Sequence, residues 1–201
     1  MVERKPGLVT YADYLALDDG QRYEVVGGVL HVTPAPVPRH QIVAMAVVRA
    51  LDGWVHPRRL GLVLFAPSDV VLSDIDVVQP DVFFVSRARL AIVGPRAIEA
   101  APDLVVEVLS PSTRKLDRGA KLAAYSRHGA TEHWLVDPVA NQLEVRRRAG
   151  DGLELASTLR CGDRLDTPLL PGFAVSVDDL FAADDLFATD EPGDDAQAES
   201  P

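Results

Sequence analysis

"PDLVVEVLSPSTRK", residues 102–115, decides how the chain is read. From Leu104 to Leu109 it has the apolar, β-branched character of a buried strand, yet Glu107 stands in its middle. A carboxylate among leucine and valine must reach water, hold a proton, pair with a cation or bind a metal. A helix is expected from about Arg114 to His128, with Gly129 at its C-terminal cap, followed by a strand at "HWLVDP" (133–138). Such a strand–helix–strand unit crosses over right-handed and leaves its two strands parallel. The fold class is therefore α/β.

Working outward, "YADYLALDD" (11–19) reads as a short amphipathic helix, and "RYEVVGGVLHVTP" (22–34) as two strands joined at Gly27-Gly28. Pro34, Pro36 and Pro38 mark an extended link. In "RHQIVAMAVVRALDGWV" (39–55), Ile42, Met45, Ala46, Val48 and Leu51 recur at helical spacing, with Gly53 and Pro57 expected to end the pattern. Residues 61–86 read as strands broken by Pro67, Asp74 and Pro80, and residues 87–102 as a loop with one helical turn. Further strands are expected at "NQLEVRRR", "LELASTLR" and "FAVSV", and a closing helical turn at "VDDLF". The pattern predicts one domain over residues 1–183, a central mixed sheet flanked by helices with β-hairpins added.

The net charge of −10 belongs mainly to the end of the chain. From Asp178 onward there are nine acidic residues and no lysine or arginine; the rest holds 21 acidic and 20 basic residues. Residues 184–201 therefore read as an acidic, disordered tail. The single cysteine, Cys161, forms no internal disulfide, which fits a reducing cytoplasm. The N-terminal stretch lacks the continuous apolar segment of a signal peptide, and no apolar run is long enough to span a bilayer. No basic stripe stands out, and aromatics at 6% argue against a base-stacking platform.

Alternate strand residues share a face, so Asp103, Val105 and Glu107 point the same way. Four residues separate Asp103 from Glu107 by about 13 Å, too far for the two carboxylates to share one ion. Asp81, at the head of the apolar run in "VVQPDVFFV" (77–85), can do so if its strand lies beside that of Glu107, where opposed side chains approach to about 5 Å. Hard oxygen donors with few His or Cys nearby point to Mg2+ or Mn2+. Lys121, on the helix that follows, can reach over the strand end, and Glu24 is a third acid within a β-run. Each has a plainer reading too. Glu107 can be ion-paired with an arginine or with Lys121, Asp81 can serve a turn, Lys121 can snorkel, and Glu24 can face solvent. The five histidines lack metal-ligand spacing, and His40 and His133 read as structural or surface residues. Ser110, Ser112 and Thr113 fit the turn into the helix.

In this order, "RYEVVGGVL", "VVQPDVFFVS", "PDLVVEVLSPST" and "KLAAYSRHGATEHWLVDP" resemble the Uma-type family of bacterial restriction endonuclease-like proteins, within the PD-(D/E)XK nuclease superfamily. The resemblance spans roughly residues 10–180. It implies the restriction endonuclease-like fold, a metal-dependent endonuclease acting on DNA, and a homodimer whose interface the sequence does not mark. Carried over, Asp81 and Glu107 are the metal ligands, Lys121 orients water or offsets charge, and Glu24 is an accessory acid. The superfamily lysine follows the acid by two residues, and here that position is Leu109. Lys121 must then act from the helix, with Lys115 as its nearest competitor. The departure keeps two other readings open: a nuclease fold retained as a non-catalytic binding module, and an RNA-directed nuclease.

Overall fold

A computed structural model describes residues 7–182, so the acidic tail lies outside the described residues. The strand of the opening is β7 (Leu104–Val108), and every one of its residues is buried. It runs parallel to β8 (Glu132–Asp137) and antiparallel to β6 (Val82–Ser86), as a strand covered on both faces and reached by a helical crossover should. With β3 (Gly61–Phe65), β9 (Gln142–Ala149) and β10 (Gly152–Arg160) these form a six-stranded mixed sheet in the order β10-β9-β8-β7-β6-β3.

A second, four-stranded sheet has the order β2-β1-β5-β4, from β1 (Tyr23–Val26), β2 (Val29–Val32), β4 (Val70–Ser73) and β5 (Asp76–Val78). Gly27 and Gly28 form the expected hairpin turn with φ of 60° and 75°. A type I′ turn requires both values positive, which is why two glycines stand there. A two-stranded ladder, β11 (Arg164–Asp166) with β12 (Ala174–Ser176), completes the set.

Side-chain alternation splits the core into two layers. On one face of the large sheet, Phe84, Leu104, Val106 and Trp134 pack on Val43, Val47, Leu51 and Val55 of α2 (Pro38–Arg58) and on Leu180 and Phe181 of α5 (Val177–Phe181). On the other, Phe83, Val85 and Val105 pack on Val26, Val70 and Val78 of the small sheet and on Ala124 and Tyr125. Glu107 has the parity of Val105 and therefore faces this second layer.

The helix after β7 comprises α3 (Arg114–Leu116), a π-turn (Asp117–Lys121) and α4 (Leu122–Arg127), with α1 (Tyr11–Leu15) lying near the N-terminus. It ends as expected: Gly129 takes φ 92°, and the Ala130 N–H reaches the Tyr125 carbonyl at 3.0 Å. The long helix differs from the sequence expectation, since α2 continues through Gly53 and Pro57 to Arg58. Pro57 falls in the last turn and removes only the bond to Gly53, and burial of Leu51 and Val55 outweighs that loss. Residues 87–92 form a 3-10 helix, the turn expected in that loop.

β3 is an edge strand seated tightly against β6, whose head carries Asp81. A methyl group at Gly61 would meet the Val85 carbonyl oxygen at 2.1 Å and the Ser86 Cα at 2.9 Å. Because backbone cannot yield as a side-chain tip can, Gly61→Ala is expected to lose well over about 1 kcal/mol. A lowered urea midpoint with an unchanged slope is the check.

Candidate active site

Four separate chain segments bring the site together. The register Val82↔Val106 continues antiparallel, which sets Asp81 opposite Glu107. Glu24 arrives on β1, where its Oε1 accepts the Gln79 N–H at 2.6 Å. Lys121 arrives on the π-turn. Glu24, Asp81, Glu107 and Lys121 all line one cavity of about 450 Å³, walled by the prolines of residues 34–36 and by the turn at 110–113. In that turn Ser110 Oγ contacts Ser112 Oγ at 3.0 Å and Thr113 Oγ1 at 2.9 Å, the helix-entry role expected of these hydroxyls.

The Lys121 ammonium is the hub. Its Nζ stands 2.8 Å from Glu107 Oε1, 2.9 Å from Glu24 Oε1 and 3.4 Å from Asp117 Oδ1. Lys121, Glu24 and Glu107 are each at most 3% exposed, so neither a snorkelling lysine nor a solvent-facing Glu24 describes the molecule. The ion pair with Lys121 that the sequence set against a metal is present. Leu109 is buried in the superfamily lysine's place, and Lys115 is exposed and does not line the cavity.

Burial pulls the Lys121 pKa down, but Glu107, Glu24, Tyr125 and Asp117 push it up further, and the side chain stays an ammonium. Burial drives the Glu107 carboxyl well above the carboxylate range; Lys121 opposes this, while Asp117, Asp81 and Glu24 add to it. The Asp117 pKa is raised mainly by burial, against the pull of Lys121. Three carboxyl groups thus crowd round one ammonium, and burial favours the protonated forms of Glu107 and Asp117.

Three participants went unread in the sequence. Asp117 is brought inward with Lys121 by the π-turn, an irregularity frequent at functional sites. Tyr125 donates its hydroxyl to Glu107 Oε1 at 2.6 Å. His40 Nε2 lies 3.1 Å from Asp81 Oδ2, which also accepts the Val108 N–H at 2.7 Å. Burial lowers the His40 pKa, but the hydrogen bond and charge of Asp81 raise it more, giving a net rise. Only the helical spacing of Asp117 and Tyr125, four residues to either side of Lys121, could have hinted at these; His40 has no local signal at all.

Other buried acids are satisfied by neighbours away from the cavity. Asp103 accepts the Ser86 N–H at 2.7 Å and pairs with Arg89 at 3.2 Å, a site apart from Glu107 as the strand spacing requires. Arg114 grips Asp137 with both nitrogens, at 2.8 and 3.0 Å. Asp76 accepts from the Gly27 N–H at 2.7 Å and contacts His128 Nε2 at 3.0 Å, tying the hairpin to the end of α4.

Residues 11–178 match the Uma2 family, described as "Putative restriction endonuclease". The chain belongs to the Uma2 family. Among solved structures, the Uma2 chain is similar to "a putative nuclease belonging to DUF820" from Anabaena variabilis, with a TM-score of 0.72 and 21% identity over 87% of this chain and 98% of that one. The shared architecture is the restriction endonuclease-like fold. It is also 33% identical over 81 residues to the uncharacterized protein slr1290 of Synechocystis, a match covering 40% of this chain and 42% of that relative.

The donor chemistry of the Uma2 cavity fits a hard divalent cation. Glu24, Glu107 and Asp81 each meet their protein partners through a single oxygen, Oε1, Oε1 and Oδ2 respectively. Each keeps a second carboxylate oxygen, and oxygen is the donor that Mg2+ and Mn2+ prefer. Among the described residues no three His, Cys, Asp or Glu side chains form a ready cage. Mg2+ ordinarily takes one or two carboxylates and completes its shell with water and substrate oxygens, so a two-carboxylate site suits it. Among the described residues no helix is long and apolar enough to cross a membrane.

Proposed function

We propose that this Uma2 protein is a Mg2+- or Mn2+-dependent endonuclease that hydrolyses phosphodiester bonds in DNA. The observation that carries the reading is the meeting of Glu24, Asp81, Glu107 and Lys121 in one cavity from four segments of the chain. An ion held by Asp81 and Glu107 would supply Lewis acidity toward the phosphodiester and acidify a water molecule. Lys121 offers the ammonium that orients that water or offsets charge developing on the phosphate. Glu24 and Asp117 also pair with this ammonium, at 2.9 and 3.4 Å. The same reading puts the protein in the cytoplasm and allows for a homodimer, which light scattering on the purified protein checks.

The test is plasmid cleavage with Mn2+. Wild type is expected to nick supercoiled DNA, and Glu107→Gln, which keeps the side chain's shape, is expected to fall by more than about 100-fold. Even changes one shell away from a metal cost 10–100-fold, and a ligand should cost more. Cleavage of RNA but not DNA would move the substrate, and no cleavage of either with several metals sinks the enzyme reading.

A second reading, a nuclease fold kept as a non-catalytic module, is favoured by one feature. Lys121 already ion-pairs with Glu107, Glu24 and Asp117. Calorimetry separates the two, because a module without a working site takes up no Mn2+ at Asp81 and Glu107.

A further inference from the structure

We propose that His40 is the positioning residue for Asp81, fixing which carboxylate oxygen this ligand turns to the metal. The inference rests on the metal-dependent reading above. Asp81 lies just before β6, where its backbone carbonyl accepts the Ala66 N–H at 3.1 Å, but its side chain is 20% exposed, far more than Glu107 at 2%. Left alone, such a carboxylate rotates and presents either oxygen.

Two donors prevent this, and both engage the same atom. The Val108 N–H reaches Asp81 Oδ2 from β7 at 2.7 Å, and His40 Nε2 reaches it from α2 at 3.1 Å. With Oδ2 held from two directions, Oδ1 is the oxygen left for a cation. His40 is itself placed rigidly. It is the third residue of α2, whose Val43, Val47, Leu51 and Val55 are locked into the core. Since Nε2 is committed to Asp81, His40 serves as an outer-shell partner and not as a ligand.

A further observation separates this role from plain packing. His40 is buried, and its Nδ1 has no hydrogen-bond partner among the described residues. An apolar side chain would fill the space without stranding a buried nitrogen, so packing alone gives no reason for an imidazole here. The contact to Asp81 does.

The experiment compares His40→Gln with His40→Met, side chains of similar length that differ in whether they carry an N–H donor. Mn2+ binding is measured by calorimetry on the full chain, with His40→Ala as a second donor-free variant and circular dichroism as the fold check. His40→Met and His40→Ala are expected to bind Mn2+ about 10- to 100-fold more weakly than wild type, and His40→Gln to recover most of the loss. In DNA cleavage, saturating Mn2+ is expected to restore turnover to His40→Met, so the defect sits in metal affinity and not in the maximal rate. Equal Mn2+ affinity in wild type and both donor-free variants overturns the inference, as does a glutamine variant as weak as methionine. Wild type that binds no Mn2+ overturns the metal reading itself, and the positioning role with it.

Discussion

Lys121→Met is expected to lower the unfolding free energy by about 3–5 kcal/mol at neutral pH, the loss typical when one partner of a buried ion pair is removed. The magnitude follows from the company the ammonium keeps. Its Nζ meets Glu107, Glu24 and Asp117 at 2.8, 2.9 and 3.4 Å, and the lysine is only 3% exposed. Methionine has nearly the same length and is apolar, so the lost term is charge compensation and not packing. Glu107, already raised by burial, responds by holding its proton more firmly, which keeps the loss from growing further. Two additions test the cause. Adding Glu107→Gln to Lys121→Met is expected to recover part of the stability, because a neutral amide removes the remaining cost of a carboxyl buried without its cation, and the non-additivity measures their coupling. On the metal-dependent reading, millimolar Mn2+ stabilises Lys121→Met more than wild type, since the divalent ion then meets carboxylates with no ammonium among them. A loss under about 1 kcal/mol in urea melts would mean that the lysine does not hold this cluster together.

The sequence made some of this legible, for identifiable reasons. Glu107 could be read because a charge interrupts an otherwise apolar strand, and such a contradiction has few physical outcomes. Asp81 could be read only on the condition that its strand lies beside that of Glu107, which the pairing of β6 with β7 meets, and Asp103 was excluded by strand length alone. Lys121 was reachable because it lies on the helix that must cross back over the same strand. His40 was not, since its contact with Asp81 spans 41 residues and two elements, with no spacing rule connecting a helix start to a strand head. Asp117 was hidden by the π-turn, for helical periodicity assumes a regular 3.6 residues per turn. The run of α2 through Gly53 shows the limit of local punctuation, since the buried Leu51 and Val55 on either side of a breaker can hold the helix through it.

His133→Phe is expected to be at least as stable as wild type at pH 8, and its advantage is expected to widen by about 2 kcal/mol at pH 5. His133 is fully buried on β8, both ring nitrogens lack a partner among the described residues, and its ring lies 5.4 Å from that of Tyr125. Phenylalanine keeps the ring contact and removes two stranded polar atoms, which accounts for the result at pH 8. The pH effect comes from the imidazole pKa, pushed down to about 3 by burial first and then by the charges of Lys121 and Arg146. In the unfolded chain the group titrates near 6.5. Between these values the unfolded state binds a proton and the folded state does not, so wild-type stability falls as pH falls through that window. The slope is about 1.4 kcal/mol per pH unit, and pH 5 lies about 1.5 units below the unfolded value. The acidic groups are the same in both proteins and cancel in the difference. Urea melts of the two proteins at matched pH values isolate the one group. Curves that stay parallel from pH 8 to pH 5 would show that the buried imidazole takes up its proton in the folded state, against the two positive charges beside it.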